Sequence, residues 1–224
     1  MRAKLLGGVV SSIIFFGVPL FAVAGTLDWP RAWIFVAAVT ALSAWTMFGV
    51  LAHDPALLDE RYGAPIQRDQ PLADKIITPL IALGFLAFVL FIPRDVVHYR
   101  MLGSPPLGLA LVGFALFVAG LLLITAALRA NAFAAPIVKH PEGQHVVDQG
   151  PYRIIRHPMY AAALLMFVGM PLWLGSYAGI IAAALPMLPI VARIVVEERT
   201  LRRDLLGYAD YAARVRWRMI PGLW

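Results

Sequence analysis

Two polar constellations interrupt an otherwise apolar chain, and both have spacings that could do chemistry. Near the end of the last apolar run, Arg193 and Glu197 stand one helical turn apart on one face. Ionisable groups at a membrane edge are costly to keep, so their default reading is functional. An arginine that snorkels and pairs with an acid one turn away meets the same spacing, and both readings stay open. Glu198 falls on another face, where a solvated or capping charge is expected. The second constellation is GPYRIIRHPMY, Gly150 to Tyr160. Gly150 and Pro151 are expected to turn the chain, and Pro158 to open a helix, because a first-turn proline loses no hydrogen bond. The free amides of that turn, beside Arg156 and His157, make an anion-favouring place. Arg153 is explained by contact with phospholipid headgroups. Tyr152, Arg156, His157 and Tyr160 together exceed what topology needs and are read as a site.

Other chemistries are weakly supported. The chain has no cysteine, which excludes disulfides, thiolate nucleophiles and Cys-ligated zinc. Of the histidines, His53, His98, His140, His145 and His157, no two have helical metal-ligand spacing, so no metal site is expected. No G-x-S-x-G, P-loop or G-x-G-x-x-G occurs. The net charge of +6 is no argument for nucleic acid, because the basic residues flank apolar runs instead of forming one soluble patch.

The elements that must position these residues follow from composition. Of 224 residues 61% are hydrophobic and 14% charged, where a soluble domain carries about a quarter charged. Four apolar runs, Leu5–Ala24, Trp33–Leu51, Ile76–Ile92 and Pro106–Leu128, approach the ~20 residues that cross a bilayer as helix. The fifth block, Met159–Val196, is too long for one span, and Pro171, Gly175, Ser176 and Gly179 suit a tight turn within it. The fold class is therefore an all-α integral membrane protein of five to six transmembrane helices, including a C-terminal helical hairpin. A cytoplasmic cofactor pocket is expected at one end. The basic N-terminal stretch reads as a retained first span, since its apolar part exceeds a signal-peptide core. Placing the N-terminus inside puts 16 of the 19 lysines and arginines on the cytoplasmic side, and only Arg31, Arg94 and Arg100 outside. Beyond Val196, Leu201, Leu205, Tyr208 and Tyr211 recur at helical spacing, predicting a helix that leaves the membrane. Trp217 and Trp224 are expected interface anchors.

The stretch HVVDQGPYRIIRHPMY, His145 to Tyr160, resembles the signature of integral-membrane methyltransferases related to isoprenylcysteine carboxyl methyltransferase. More distantly it resembles the phospholipid N-methyltransferases. The second half of that signature stands about forty residues on, as Arg193-x-x-x-Glu197-Glu198-x-x-Leu201, followed by Tyr208-x-x-Tyr211 and Pro221. Asn131 and the segment Asp54 to Arg61 are similar to bacterial members. One departure is that the histidine six residues before the signature glycine is here Gln144, with His145 next to it.

The resemblance implies S-adenosylmethionine as cofactor. Its contacts, carried over, are Gln144, His145, Val146, Val147, Tyr152, His157, Pro158, Met159, Tyr160 and Glu197; Arg156, beside the free amides of the helix start, is expected to meet the cofactor's carboxylate, and Glu198 is counted with the cofactor residues. Arg193 is implied as the substrate contact and, with Glu197, as the catalytic pair. Transfer from a sulfonium neutralises charge, so positioning and desolvation supply much of the acceleration without a metal. A carboxylate or thiolate acceptor needs no base, whereas an amine needs one, Glu197 or Glu198. The expected chain is one membrane methyltransferase domain, residues 1–224, with N-terminal spans in 1–104 and a catalytic core in 105–224. It would act on a lipophilic small molecule or lipid entering from the bilayer, in a bacterial cytoplasmic membrane, with the active site cytoplasmic. A sterol-reductase-like enzyme using NADPH and a non-enzymatic accessory protein are the competing readings.

Overall fold

The computed structural model describes residues 1–62, 70–131 and 145–224. Its long elements are α1 (Arg2–Ala24), α2 (Pro30–Gly49), α4 (Leu72–Arg94), α5 (Leu107–Ala130), α6 (Pro158–Leu174) and α8 (Ala184–Asp204). Shorter helices are α3 (Pro55–Arg61), α7 (Tyr177–Ala182) and α9 (Tyr208–Arg214). No named strand occurs among the described residues; one isolated parallel bridge joins Ile155 to Trp217. Five helical runs are long and apolar enough to cross a membrane, the last being α7 and α8 together over Tyr177–Asp204. Helix α6 is apolar but shorter, at 17 residues. This is the all-α membrane architecture with a C-terminal hairpin that the apolar runs predict.

The helices are apolar on all sides because they have two kinds of neighbour, lipid and each other. Leu6, Val10, Ile14 and Val18 on α1, Ile34 and Trp45 on α2, and Leu80, Leu83 and Leu86 on α4 are exposed on the protein surface, where acyl chains would cover them. Inside lies a core of Leu20, Phe35, Phe88, Ile92, Phe117, Met170, Leu174 and Ile194. The closest seam joins α5 to α6. A Cβ on Gly169 would stand 2.5 Å from the Gly113 carbonyl oxygen, and one on Gly120 would stand 2.8 Å from that of Ala162. Small residues let these two backbones approach, the usual way helices associate where lipid is as apolar as leucine.

The hairpin turns at Gly175, whose φ of 110° only glycine adopts cheaply, and Ser176 then caps α7 by accepting from the Gly179 amide at 2.8 Å. The predicted C-terminal helix is interrupted. α8 ends at Asp204, and Gly207 at φ 81° redirects the chain into α9. The apolar period nevertheless finds its partners, because Tyr208 and Tyr211 pack with Leu201, Leu205 and Val146 in a small separate cluster. After α9 the backbone returns under the start of α6. The Arg156 amide donates to the Trp217 carbonyl at 2.9 Å, and the His157 amide to that of Arg218 at 2.8 Å.

Candidate active site at the start of helix α6

Proline at the first position of α6 fixes where the helix begins, with His157 as its N-cap. That places Arg156 and His157 just outside the helix and Tyr160 within its first turn. All three side chains turn toward the end of α8, where Glu197 and Glu198 sit on consecutive positions.

Glu198 is buried, 3% exposed, and this corrects the expectation of a solvated or capping charge. Its Oε1 accepts from Arg156 Nε at 2.6 Å and lies 3.2 Å from His157 Nε2, while Oε2 accepts from Arg218 Nε at 3.0 Å. Arg156 completes its bonding by donating Nη1 to the carbonyls of Val215 and Arg216, at 2.7 and 2.9 Å. A buried carboxylate costs several kcal/mol unless paired, and here two guanidinium groups and an imidazole satisfy it. The helical wheel of α8 could not reveal this, because Glu198 is covered by the returning C-terminal segment and not by a neighbouring span.

Glu197 has different surroundings. Its side chain keeps 26% exposure, and its Oε1 is 3.9 Å from His157 Nδ1. Its Oε2 accepts from the Tyr160 hydroxyl at 2.7 Å. The Tyr160 ring stacks on His157 with centroids 5.6 Å apart. The imidazole therefore lies between both acids, one edge near each.

Arg193, one turn before Glu197, is 6% exposed, and its Nε lies 3.1 Å from Asp74 Oδ1 on α4. Asp74 is fully buried and also accepts from Gln70 Nε2. Arg193 thus pairs across helices with Asp74 in addition to sharing a face with Glu197, an arrangement absent from both sequence readings. An acid at the very start of one span, with an arginine near the same end of another, was the available signal.

Tyr152, on the short 3₁₀ turn Gly150–Arg153, is buried and receives Asn131 Nδ2 at 3.3 Å, while its carbonyl accepts from the Tyr211 hydroxyl at 2.8 Å. Burial pushes the Tyr152 phenol up to about 12, opposed by the Asn131 hydrogen bond and reinforced by the charge of Glu197. Burial likewise raises Tyr208 and Tyr211, with the charges of Glu198 and Glu197 adding to the rise at Tyr208. These phenols are neutral donors at any ordinary pH. The Tyr208 hydroxyl is buried and has no hydrogen-bond partner among the described residues. Such an orphan needs an explanation, and a polar molecule held against it is one.

The remaining predicted residues divide. Gln144 lies outside the described residues. His145 is exposed, Val147 is half-buried, and Val146 packs against Tyr208 and Tyr211. Pro158 is buried, whereas Met159 packs toward Leu5, Leu51 and Leu128 on the far side of α6. Arg153 is exposed. Arg218 and the carbonyls of Val215 and Arg216 join the site without having been predicted. No group of three or more metal-ligating side chains occurs among the described residues.

Residues 109–205 match the family described as phospholipid methyltransferase. The matched segment runs from the start of α5 to the end of α8, so it contains Tyr152, Arg156, His157, Tyr160, Arg193, Glu197 and Glu198. It leaves out Asp74 and Arg218. No curated protein matches the chain.

Proposed function

We propose that this chain, a membrane protein carrying the phospholipid methyltransferase family match over residues 109–205, transfers a methyl group from S-adenosylmethionine to a lipophilic acceptor at the cytoplasmic membrane face. One observation carries the reading. Within the matched segment, Glu197 is the acid that stays partly open, bonded to Tyr160 and set one turn from Arg193, while Glu198 beside it is fully paired.

The residues present fit the cofactor. S-adenosylmethionine supplies a methyl group on a cationic sulfonium. Glu197 is an uncrowded carboxylate suited to hydroxyl or ammonium donors, and the aromatic faces of Tyr160 and Tyr152 suit a cation. The unpartnered Tyr208 hydroxyl supplies a further donor, with His145, Val146 and Val147 in the adjoining segment and Gln144 preceding it. The amides of Met159 and Tyr160 belong to the first turn of α6 and favour a carboxylate. Arg156 enters as a positioning residue. It locks Glu198, which fixes His157 and thereby the wall on which Tyr160 stacks.

Arg193 orients the acceptor, and Asp74 holds Arg193. The spans within 1–104 therefore contribute to a single domain whose core is 105–224. Carboxylate, thiol and amine acceptors all suit in-line transfer, and with an amine Glu197 takes the proton. The excess of lysine and arginine at this end supports a cytoplasmic site, consistent with a bacterial inner membrane. The test is binding of tritiated S-adenosylmethionine to purified protein, with incorporation of label into an added lipid extract. Saturable binding lost in Glu197→Gln is expected. Absence of binding by the wild type, or stabilisation by NADPH alone, overturns the proposal.

A further inference from the structure

At the opposite end of the bundle a cleft of about 470 Å³ opens between the start of α2, the π-helical turn Asp95–Tyr99, the lead-in to α5 and the end of α6. Trp29, Arg31, Val96, Arg100, Ser104 and Gly175 line it. Among the described residues, three arginines and no lysine lie at this end, and two of the arginines share this cleft. The third, Arg94, is engaged with Tyr99, whose hydroxyl lies 3.3 Å from its Nε.

The Arg31 side chain is held without being neutralised, whereas Arg100 is exposed and fixed through its backbone. The Arg31 guanidinium lies over the Trp173 ring at 5.9 Å, and the Trp173 indole donates to the Arg31 carbonyl at 2.8 Å. Arg100 adopts φ 48°, with its amide bonded to the Asp95 carbonyl at 2.6 Å. Neither guanidinium has a carboxylate ion-pair partner among the described residues. The nearby acid, Asp95, is buried, with one oxygen accepting from Ser176 Oγ and the other from the Met101 amide. Gly175 lies on the floor, its Cβ position within van der Waals range of Arg31 Nη1 at 3.8 Å and Ser104 Oγ at 4.0 Å.

Two unneutralised guanidinium groups, a hydroxyl donor and an indole at the end of a transmembrane bundle match one ligand chemistry. We infer that this cleft binds an anionic phosphate group, from either a lipid headgroup that carries no cation or free phosphate. Guanidinium recognises phosphate through paired charge-assisted hydrogen bonds, and tryptophan resides at headgroup depth. A choline headgroup would bring its own cation toward two arginines and is disfavoured. This site shares no residue with the proposed methyltransferase site and does not depend on it.

Native mass spectrometry of the full chain from micelles holding equal phosphatidylglycerol and phosphatidylcholine tests the inference, alongside a thermal-shift titration with sodium phosphate against chloride at matched ionic strength. Wild type is expected to retain phosphatidylglycerol preferentially, by roughly tenfold or more given two charge-assisted contacts. Arg31→Ala/Arg100→Ala should abolish the preference, Arg31→Lys/Arg100→Lys should restore part of it, and Arg94→Ala should leave it unchanged. Stabilisation by phosphate without lipid retention identifies free phosphate as the source. Neither lipid preference nor a phosphate shift in wild type overturns the inference. So does a preference that survives in a folded double alanine variant.

Discussion

Glu197 and Glu198 are neighbours on one helix with the same charge, yet they live in different environments. Glu198 is enclosed by Arg156, Arg218 and His157, and its bonds tie α8 to the start of α6 through Arg156 and His157 and to the C-terminal segment through Arg218. Glu197 has a phenol donor on one oxygen and an imidazole edge beyond hydrogen-bond range of the other. Buried charge that is fully compensated holds a structure in one arrangement, whereas charge left with spare accepting capacity is available to a ligand. The pair shows that adjacent acids on one helix come to different surroundings according to what the rest of the chain brings to each.

Substitutions can break this division. Glu198→Ala leaves the buried Arg156 guanidinium without its carboxylate and takes the partner from the half-buried Arg218, and a loss of about 3–5 kcal/mol of stability is expected. Thermal unfolding should detect it, and a variant melting like wild type would erase the distinction. Glu197→Gln should preserve the melting temperature while lowering methyl transfer by about a hundredfold, about 2.7 kcal/mol of transition-state stabilisation. Equal damage to stability would show that Glu197 is structural too. Tyr160→Phe removes the one strong donor to Glu197 and is expected to cost tenfold or somewhat more in activity, because a bond to a charged group is worth about 1.5 kcal/mol at the low end.

The smallest effect concerns the tyrosines that pack between these groups and the returning segment. Burial keeps the Tyr152 phenol protonated up to about 12 against its ordinary 10.0. The stability it contributes is complete below pH 10 and is lost as pH rises toward 12. A melting temperature that is level up to about pH 10 and then declines is expected. Tyr152→Phe should flatten part of that decline, and an unchanged alkaline limb would assign it to other groups.

Much of this was legible in local sequence rules. Pro158 announces the start of α6, and Gly175 with Ser176 announces the hairpin turn, because both depend on backbone chemistry confined to a few residues. The gathering of Tyr160, His157 and Glu197 followed from the signature pair. What escaped are contacts that periodicity cannot carry. A wheel drawn for α8 assigns Glu198 a direction but says nothing of Arg218 coming back to cover it. Asp74 sits 119 positions from Arg193, and each looks like an ordinary charge at the edge of an apolar run. The break at Gly207 was missed because Leu201 through Tyr211 keep apolar spacing on either side of it. Packing selects for that spacing even when the backbone bends.

The bonds from Arg156 to the carbonyls of Val215 and Arg216 span 59 and 60 positions. A ribosome adding about 5–20 residues each second needs roughly 3–12 s to cover that distance. For that interval Arg156 has been made while its acceptors have not. A charged guanidinium is costly in lipid, so this arginine stays at the aqueous boundary until residues 215 and 216 arrive. Assembly order is written into the spacing: the apolar scaffold can insert first, and the candidate site closes only once residues 215–218 have been made.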